Sequence, residues 1–518
     1  MAARALNVHA GQYPAPVRHG YDDGETFFGG MGPVQVNVPD YWTLRQRSAH
    51  VFETSQYARG IIRRLVTNVI ATGLHLEVVP NETLLGYDEE GLAEWSEDVE
   101  TRFTLWANDP YLCDTAELTS FGEIQAQAWL EALVCGDVLV VLQQGATKAP
   151  KIRLVPGDAI RTPWPEKAKK GNRIEHGVEI DGQGRHVAFW VHQADQTFKR
   201  LPAWGEKSGR RLAWLVYGSD KRANDVRGRP LLSLILQSLT ELDKYRSSTQ
   251  RKALINSILS VWIEKTEEKL GGTDQFFNGT GGSEVLTNAA ATSTEPRNFR
   301  HAEHLPGFIH DQLEFGEKIH PHAVQGVTES YGDFEQAIVQ GMAWALELPP
   351  EILTLSFSSN YSASKAAMGE FDVYLYRHRE WIGKQLCVPI YEDWLISQCL
   401  AGAVKAPKFL ESWRSTNAHV IYSAWLQSDW AGHLRGHLDP VKQMAGYNLM
   451  LEAGVVTRDR VARWTSGQKF SRVTKQLKRE NEALAEALAP LQALETKQAV
   501  DPTLHIVEDD EPAKKVTK

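Results

Sequence analysis

The sequence predicts an α+β fold, mainly α-helical and built from several subdomains, on three observations. Ala58, Ile61, Ile62, Leu65, Val66, Val69 and Ile70 recur at the three-and-four spacing of one helix face. Between residues 138 and 217 the apolar runs are instead short, strand-like and separated by turn residues. From residue 327 to 371 two helical patterns meet at a break containing Pro349 and Pro350. At 518 residues the chain is too long for one simple core, so about two to four subdomains are expected.

Residues 1–40 are rich in Gly and Pro without periodicity and read as a flexible arm. The helix around residues 58–70 is stopped by Gly73, and Leu74, Leu76 and Val78 then alternate as a strand. A helix carrying Phe103 and Trp106, a second over 121–133, and strands at 138–142, 152–155, 187–191 and 212–217 follow. The stretch 172–180 ends in Asp181-Gly182, a turn that suits a hairpin. Pro230 sits where a helix start tolerates it, and Leu231, Ile235, Leu239 and Leu242 give that helix one stripe, continuing to about Ala253.

Between about Ile263 and Val324 the composition shifts to Gly, Asn, Thr and His with short strands. Phe334, Ile338, Met342 and Leu346 then predict one apolar stripe on a helix that leaves its axis near Leu348. A polar loop from Ser356 to Ser362 precedes a helix from about Ala363 to Cys399, about 55 Å long, bent before Pro389 and facing inward through Phe371, Leu375, Ile382 and Leu386. Trp394, Trp413, Trp425 and Trp430 read as core aromatics. Beyond Gly454 the chain is helical again, 473–496 suits a surface helix, and the charged tail from Asp501 is expected to be disordered.

Composition excludes several functions. No run of about 18 apolar residues is present, so no transmembrane helix and no membrane partner is expected. The first residues lack the apolar core of a signal peptide, which makes the cytoplasm the expected compartment of synthesis. Cys113, Cys135, Cys387 and Cys399 are widely spaced and read as buried reduced thiols. A formal net charge of -9 argues against gripping nucleic acid by overall electrostatics, but not against letting it pass. No phosphate-binding loop with its lysine occurs, so the chain is not expected to hydrolyse nucleotides.

Three constellations invite chemistry. Ser362 and Lys365 fit the S-x-x-K spacing of serine acyl enzymes, yet no partner motif accompanies them, and the serine opens a helix where hydroxyls cap. His301, His304, His310, His320 and His322 cluster without a cysteine or spaced carboxylate to close a metal site, so a solvated loop is expected and neither metal nor cofactor is assigned. Lys244, Arg246, Arg251 and Lys252 would contact phosphates in a DNA-binding protein, whereas Glu241 and Asp243 precede them and point to ion pairs, between subunits or three and four residues apart along the helix; both readings stand.

The wording YGDFEQAIVQGMAWALELPPEIL (331–353) followed by NYSASKAA (360–367) resembles the portal proteins of lambda-like tailed bacteriophages. SQYARGIIRRLVTNVIATGLHLEV (55–78) and VRGRPLLSLILQSLTELDKY (226–245) resemble the same family, in its order and spacing, and the likeness spans roughly residues 40–465. It implies a structural protein rather than an enzyme: a ring of twelve copies at one capsid vertex, around an axial channel for packaging and ejecting double-stranded DNA. The implied regions are a wing (41–225), a first stem helix (226–262), a clip (263–326), a second stem helix (327–348), a tunnel loop (349–362), a long wing helix with the wing remainder (363–431) and a helical crown (432–500). Ser356, Ser358, Ser359, Asn360 and Tyr361 would then touch DNA from the tunnel loop, with Glu241, Asp243, Lys244, Arg246, Glu329, Asp333 and Glu335 as stem candidates for the channel wall. The implied partners are further copies of the chain, the major capsid protein, the terminase large subunit and a head-tail connector protein, and the implied location is the virion. Another head-associated structural protein, or a hydrolase using Ser362 and Lys365, stands as the alternative.

Overall fold

The computed structural model describes residues 41–144, 148–165, 168–169, 171–223, 225–257, 261–265, 317–321, 331–356, 361–415, 417–433, 440–467 and 469–499. The N-terminal arm, most of 263–326 with His301, His304, His310 and His322, Glu329, the residues Ser358, Ser359 and Asn360, and the charged tail lie outside them. The described chain forms two compact units, each assembled from separated stretches: one from 41–65, 128–141 and 154–377, the other from 66–127, 142–153 and 378–499. The stretch 41–225 therefore contributes to both.

The first unit packs one sheet with a four-stranded antiparallel one. The four strands run in sequence order, Arg173–Glu175, Val178–Ile180, His186–His192 and Phe198–Pro202. His176 and Gly177, both at positive φ, form the first hairpin turn. The expected hairpin at Asp181 is present, its carboxylate accepting from the amides of Gln183 and Arg185. The other sheet places Asp137–Gln143 between Lys151–Pro156 and Ala213–Tyr217. Leu139, Val155, Val178, Phe189 and Leu215 form the shared core, and full burial of a side chain such as Phe189 contributes about 1.5–3 kcal/mol.

Helices Tyr41–Thr54 and Leu236–Ser257 belong to this unit. The first was not anticipated, because its buried face includes Arg45 and Ser48, which interrupt the apolar spacing. The second starts later and ends later than expected: Leu231–Leu234 is a tight 3-10 turn, and the α-helix runs on to Ser257. Leu239 and Leu242 are fully buried, as the stripe predicts. Strands Val261–Lys265 and Glu317–Pro321, the latter holding His320, pair antiparallel and bracket the expected insertion.

Tyr331–Ala345 is the helix expected from the Phe334 stripe, but its buried face is Val339, Met342 and Ala343, with Leu346 beyond its end. Phe334 is 41% exposed and Ile338 half-buried, because among the described residues the fully buried side chains of this helix lie in its second half. The end is a Schellman motif: Leu348 N–H donates to Ala343 O, Glu347 N–H to Trp344 O, and Glu347 takes the left-handed conformation. The expected open loop from 349 is in part helical, since Pro350 opens a short helix, Pro350–Thr354, and the next helix resumes at Tyr361 rather than Ala363.

That next helix continues without a gap as Tyr361–Ile382, a π-turn Gly383–Cys387, and Val388–Leu400. The expected irregularity before Pro389 is this turn, where Val388 N–H reaches back to Gly383 O. A π-turn is one way a helix absorbs a residue that lacks an amide proton. Phe371, Leu375, Ile382 and Leu386 are buried as predicted.

The second unit is centred on aromatic rings. Phe103, on helix Glu89–Asn108, has ring centroids 5.1 Å from Trp106, 5.2 Å from Trp394, 5.8 Å from Trp430 and 5.9 Å from Tyr391. Trp394 and Trp425 are buried, as expected of core aromatics, while Trp413 and Trp430 are half-buried. Strand His75–Val78 pairs antiparallel with Ser428–Ala431. Helix Phe121–Cys135 begins with a capping box, Ser120 and Glu123 exchanging hydrogen bonds. Helices Pro440–Glu452, Arg458–Ser466 and Phe470–Ala499 complete this unit, with Val461 their one buried residue among those described. No helix among the described residues is long and apolar enough to cross a membrane.

Candidate functional site

The candidate site lies in the first unit, where helices Leu236–Ser257 and Tyr331–Ala345 run beside the start of helix Gln56–Val69. Burial of Leu239 and Leu242 fixes the rotation of the first helix. It leaves Glu241 and Lys244 exposed and Asp243 and Arg246 half-buried. Tyr245 then stacks on Tyr331, with centroids 5.6 Å apart and planes 8° apart, and lies 4.3 Å from the Phe334 ring.

Arg246 Nη1 donates to Gln56 Oε1 at 2.8 Å, and its guanidinium lies 5.9 Å from the Tyr57 ring centre. The Tyr57 hydroxyl donates to Glu335 Oε1. Burial, then the Glu335 carboxylate accepting that proton, raises the phenol well above its ordinary range, so it remains a donor at neutral pH. Gln56, Tyr57, Arg246, Tyr331 and Glu335 thus line one cleft of about 590 Å³ with Thr249 and Gln250. Within its own chain Arg246 is engaged by an amide rather than by a carboxylate three or four residues away on its helix. Glu241 accepts instead from Gln237 Nε2 at 2.9 Å, and neither Asp243 nor Lys244 forms an ion pair among the described residues. Asp333 is exposed in the first turn of its helix.

The structure brings Arg246 and Glu335 together, leaves Glu241, Lys244 and Asp333 open to solvent, and describes Ser356 as exposed at the end of the short helix. Tyr361 is placed by its backbone as the first residue of the next helix.

Of the chemical candidates in the sequence, the side chain of Ser362 lies outside the described residues. Burial pushes the thiols of Cys113 and Cys135 up to about 12 and that of Cys399 up to about 11, and raises Cys387 well above the usual range. Lys365 is exposed on its helix. Among the described residues no group of three or more His, Cys, Asp and Glu side chains is placed to hold a metal ion.

Sequence reasoning missed the polar centre on which the first unit is built. Asp137, fully buried, accepts from Arg227 Nε at 2.8 Å and Nη2 at 2.6 Å, from Arg45 Nη2 at 3.0 Å and from Gly228 N–H at 2.8 Å. Arg227 also donates to the carbonyls of Gly157, Ile160 and His176, and Arg45 to that of Cys135. Burial alone would raise the Asp137 carboxyl, but Arg227 and then Arg45 outweigh it and hold it below the ordinary carboxylate range. The available signal was the pair Arg227-Gly228 inside one of the blocks that resembles the portal family.

A family model described as phage portal protein, lambda family, matches residues 29–379. The chain belongs to this family. Portal protein B of Escherichia phage lambda is 21% identical over 464 residues, covering 85% of each chain. The portal protein of Escherichia phage N15 is 20% identical over 435 residues, covering 82% of this chain and 81% of its own. A solved chain in the neck of an empty GTA particle, computed with C6 symmetry, is similar at 13% identity and a TM-score of 0.40, covering 85% of this chain and 94% of its own. This phage portal protein is therefore a structural component of the virion, and its clefts and exposed helices are to be understood as those of a head protein.

Proposed function

We propose that this portal protein assembles as a ring of about twelve copies, with helices Leu236–Ser257 and Tyr331–Ala345 lining an axial channel for double-stranded DNA. The observation that carries the reading is the incomplete burial of Tyr331–Ala345: Phe334 and Trp344 are exposed in the single chain, and Trp344 is 89% exposed. A helix with so much uncovered apolar surface calls for neighbours, and a closed cyclic assembly supplies the same neighbour to every copy.

DNA carries one negative charge per about 1.7 Å of axis, so a wall that bound it tightly would stall it. Glu241 and Asp333, exposed on these helices, and Glu329 would repel phosphates and keep contacts transient. Ser356, Ser358, Ser359, Asn360 and Tyr361, between the short helix and the long one, offer uncharged hydrogen-bonding groups at the channel. The terminase large subunit, the major capsid protein and a head-tail connector protein are the partners of such a ring, which assembles in the host cytoplasm and serves at one vertex. The motor's chemistry belongs to a partner, because this chain has no phosphate loop.

Native mass measurement and images of the purified protein viewed down the ring axis test the reading. The expected result is a hollow ring of about twelve subunits. A stable monomer of 58.0 kDa would overturn it.

A further inference from the structure

Between Arg458 and Arg479 the chain carries eight arginines and lysines and one acid, Asp459, in a protein whose formal net charge is -9. Helix Glu89–Asn108 has the opposite bias, with six acids and a single arginine. Both stretches belong to the second unit, where one is fastened to the other.

The fastening is ionic at each point. Arg463 Nη1 lies 3.1 Å from Glu77 Oε2 and 3.3 Å from Asp429 Oδ2, carboxylates on the paired strands His75–Val78 and Ser428–Ala431. Lys469 Nζ lies 3.1 Å from Glu100 Oε1 and also donates to Val78 O, while the same Glu100 oxygen accepts from Val78 N–H at 2.8 Å. Lys475 Nζ meets Glu97 Oε2 at 2.6 Å. In each pair the cation comes from the C-terminal segment, and the acid from the two strands and helix Glu89–Asn108.

Asp459 joins the segment into one body. Its carboxylate accepts from Arg463 Nε at 3.0 Å within helix Arg458–Ser466, and from Phe470 N–H at 2.9 Å where helix Phe470–Ala499 begins. Apolar burial adds little: Val461 is buried, Phe470 and Val473 are half-buried, and every residue from Thr474 to Ala489 is exposed. Burial raises the Glu77 carboxyl, and Arg463 and then Lys469 work against that rise, so its charge depends on the segment staying in place. Attraction between charges open to solvent weakens as salt rises, because the screening length falls from about 10 Å at 0.1 M to about 3 Å at 1 M.

We propose that the segment carrying Arg463, Lys469 and Lys475 is a strap held by charge rather than by burial, which opens as one body when ionic strength rises while the aromatic centre of the unit stays folded. Opening uncovers Glu77, Glu97 and Glu100 and frees the carbonyl of Val78. The closed strap is thus one of two states of the C-terminal helices, and ionic strength sets the balance between them.

The test follows amide hydrogen exchange of the full chain by mass spectrometry. Raising sodium chloride from about 0.05 to 1 M is expected to speed exchange about tenfold in helix Arg458–Ser466 and the first turns of Phe470–Ala499. Helix Val388–Leu400, with Tyr391, Trp394 and Leu395 buried, should not change. At the low salt, Arg463→Gln should open the strap to a similar extent, because two carboxylates lose their partner. Lys475→Glu sets like charges together and should speed exchange about threefold, and adding Glu97→Lys should restore the wild-type rate. Exchange that ignores salt, or a Lys475→Glu chain that Glu97→Lys does not rescue, overturns the proposal, since packing then holds the segment. Acceleration that extends equally into Val388–Leu400 overturns it too, because the unit then opens whole.

Discussion

Arg227 grips Asp137 with two nitrogens, Nη2 to Oδ1 at 2.6 Å and Nε to Oδ2 at 2.8 Å, and neither side chain reaches solvent. The geometry suits a planar guanidinium, whose remaining donors reach the carbonyls of Gly157, Ile160 and His176. Asp137→Ala is expected to cost about 3–5 kcal/mol in chemical denaturation, because two buried arginines lose their counter-charge. Arg227→Lys should rescue little, since one ammonium cannot span the carboxylate and three carbonyls. A loss below about 1 kcal/mol in Asp137→Ala would mean that water replaces the carboxylate there.

Gly228 belongs to the same centre. A Cβ built on it would lie 2.0 Å from Gly136 O, a backbone atom that cannot step aside. Gly228→Ala is therefore expected to yield insoluble or protease-sensitive protein, whereas Gly341→Ala, where a Cβ meets nothing within 4 Å, should fold normally. Equal solubility of the two variants would contradict this packing.

Acid should weaken the first unit in two stages. Burial and then the positive charges of Lys221 and Arg227 bring the His186 imidazole down to about 4 from its ordinary 6.5. Burial alone would raise Glu179, but its bonds to Arg200 and Asn172 prevail and hold it down to about 2, from 4.5. Both folded values lie below the unfolded ones, so the unfolded chain takes up protons first as pH falls. Stability is then lost from pH 6.5 towards about 4 through His186, and from 4.5 towards about 2 through Glu179. Denaturation midpoints measured across this range should show His186→Phe flattening the upper part and Glu179→Gln the lower; identical slopes in all three proteins would exclude these groups as the cause.

In the aromatic centre of the second unit, the indole N–H of Trp394 and the hydroxyl of Tyr391 are buried without a hydrogen-bond partner among the described residues. Trp394→Phe removes an unsatisfied donor and keeps most of the ring, so it is expected to change stability by less than about 1.5 kcal/mol. Phe103→Ala, which leaves a hole between several rings, should cost about 3–5 kcal/mol by thermal unfolding. A larger loss from Trp394→Phe than from Phe103→Ala would reveal an acceptor for that N–H.

The proposed channel separates two kinds of variant. Removing residues 358–360 should leave rings intact and reduce DNA packaging or retention, because a polar loop contributes little to burial. Met342→Asp places a charge in a buried position of helix Tyr331–Ala345 and should impair folding itself. Rings lost on deleting the loop, with normal packaging in surviving particles, would make that loop a subunit contact.

Local chemistry made much of this legible in the sequence. The helix at 58–70 needs only its spacing and Gly73, the break near Leu348 needs only two prolines, and the irregularity at 383–387 follows from Pro389. Family membership was also legible, because blocks such as VRGRP and ELPPEIL keep their order along the chain. Tertiary structure alone decided which face of Tyr331–Ala345 is buried, since periodicity defines a stripe but not how far a neighbour extends along it. It also decided that Arg45, Asp137 and Arg227 meet, residues 90 or more positions apart along the chain. A buried charge is tolerable only where its partners converge in space, and convergence across such separations leaves no spacing to read.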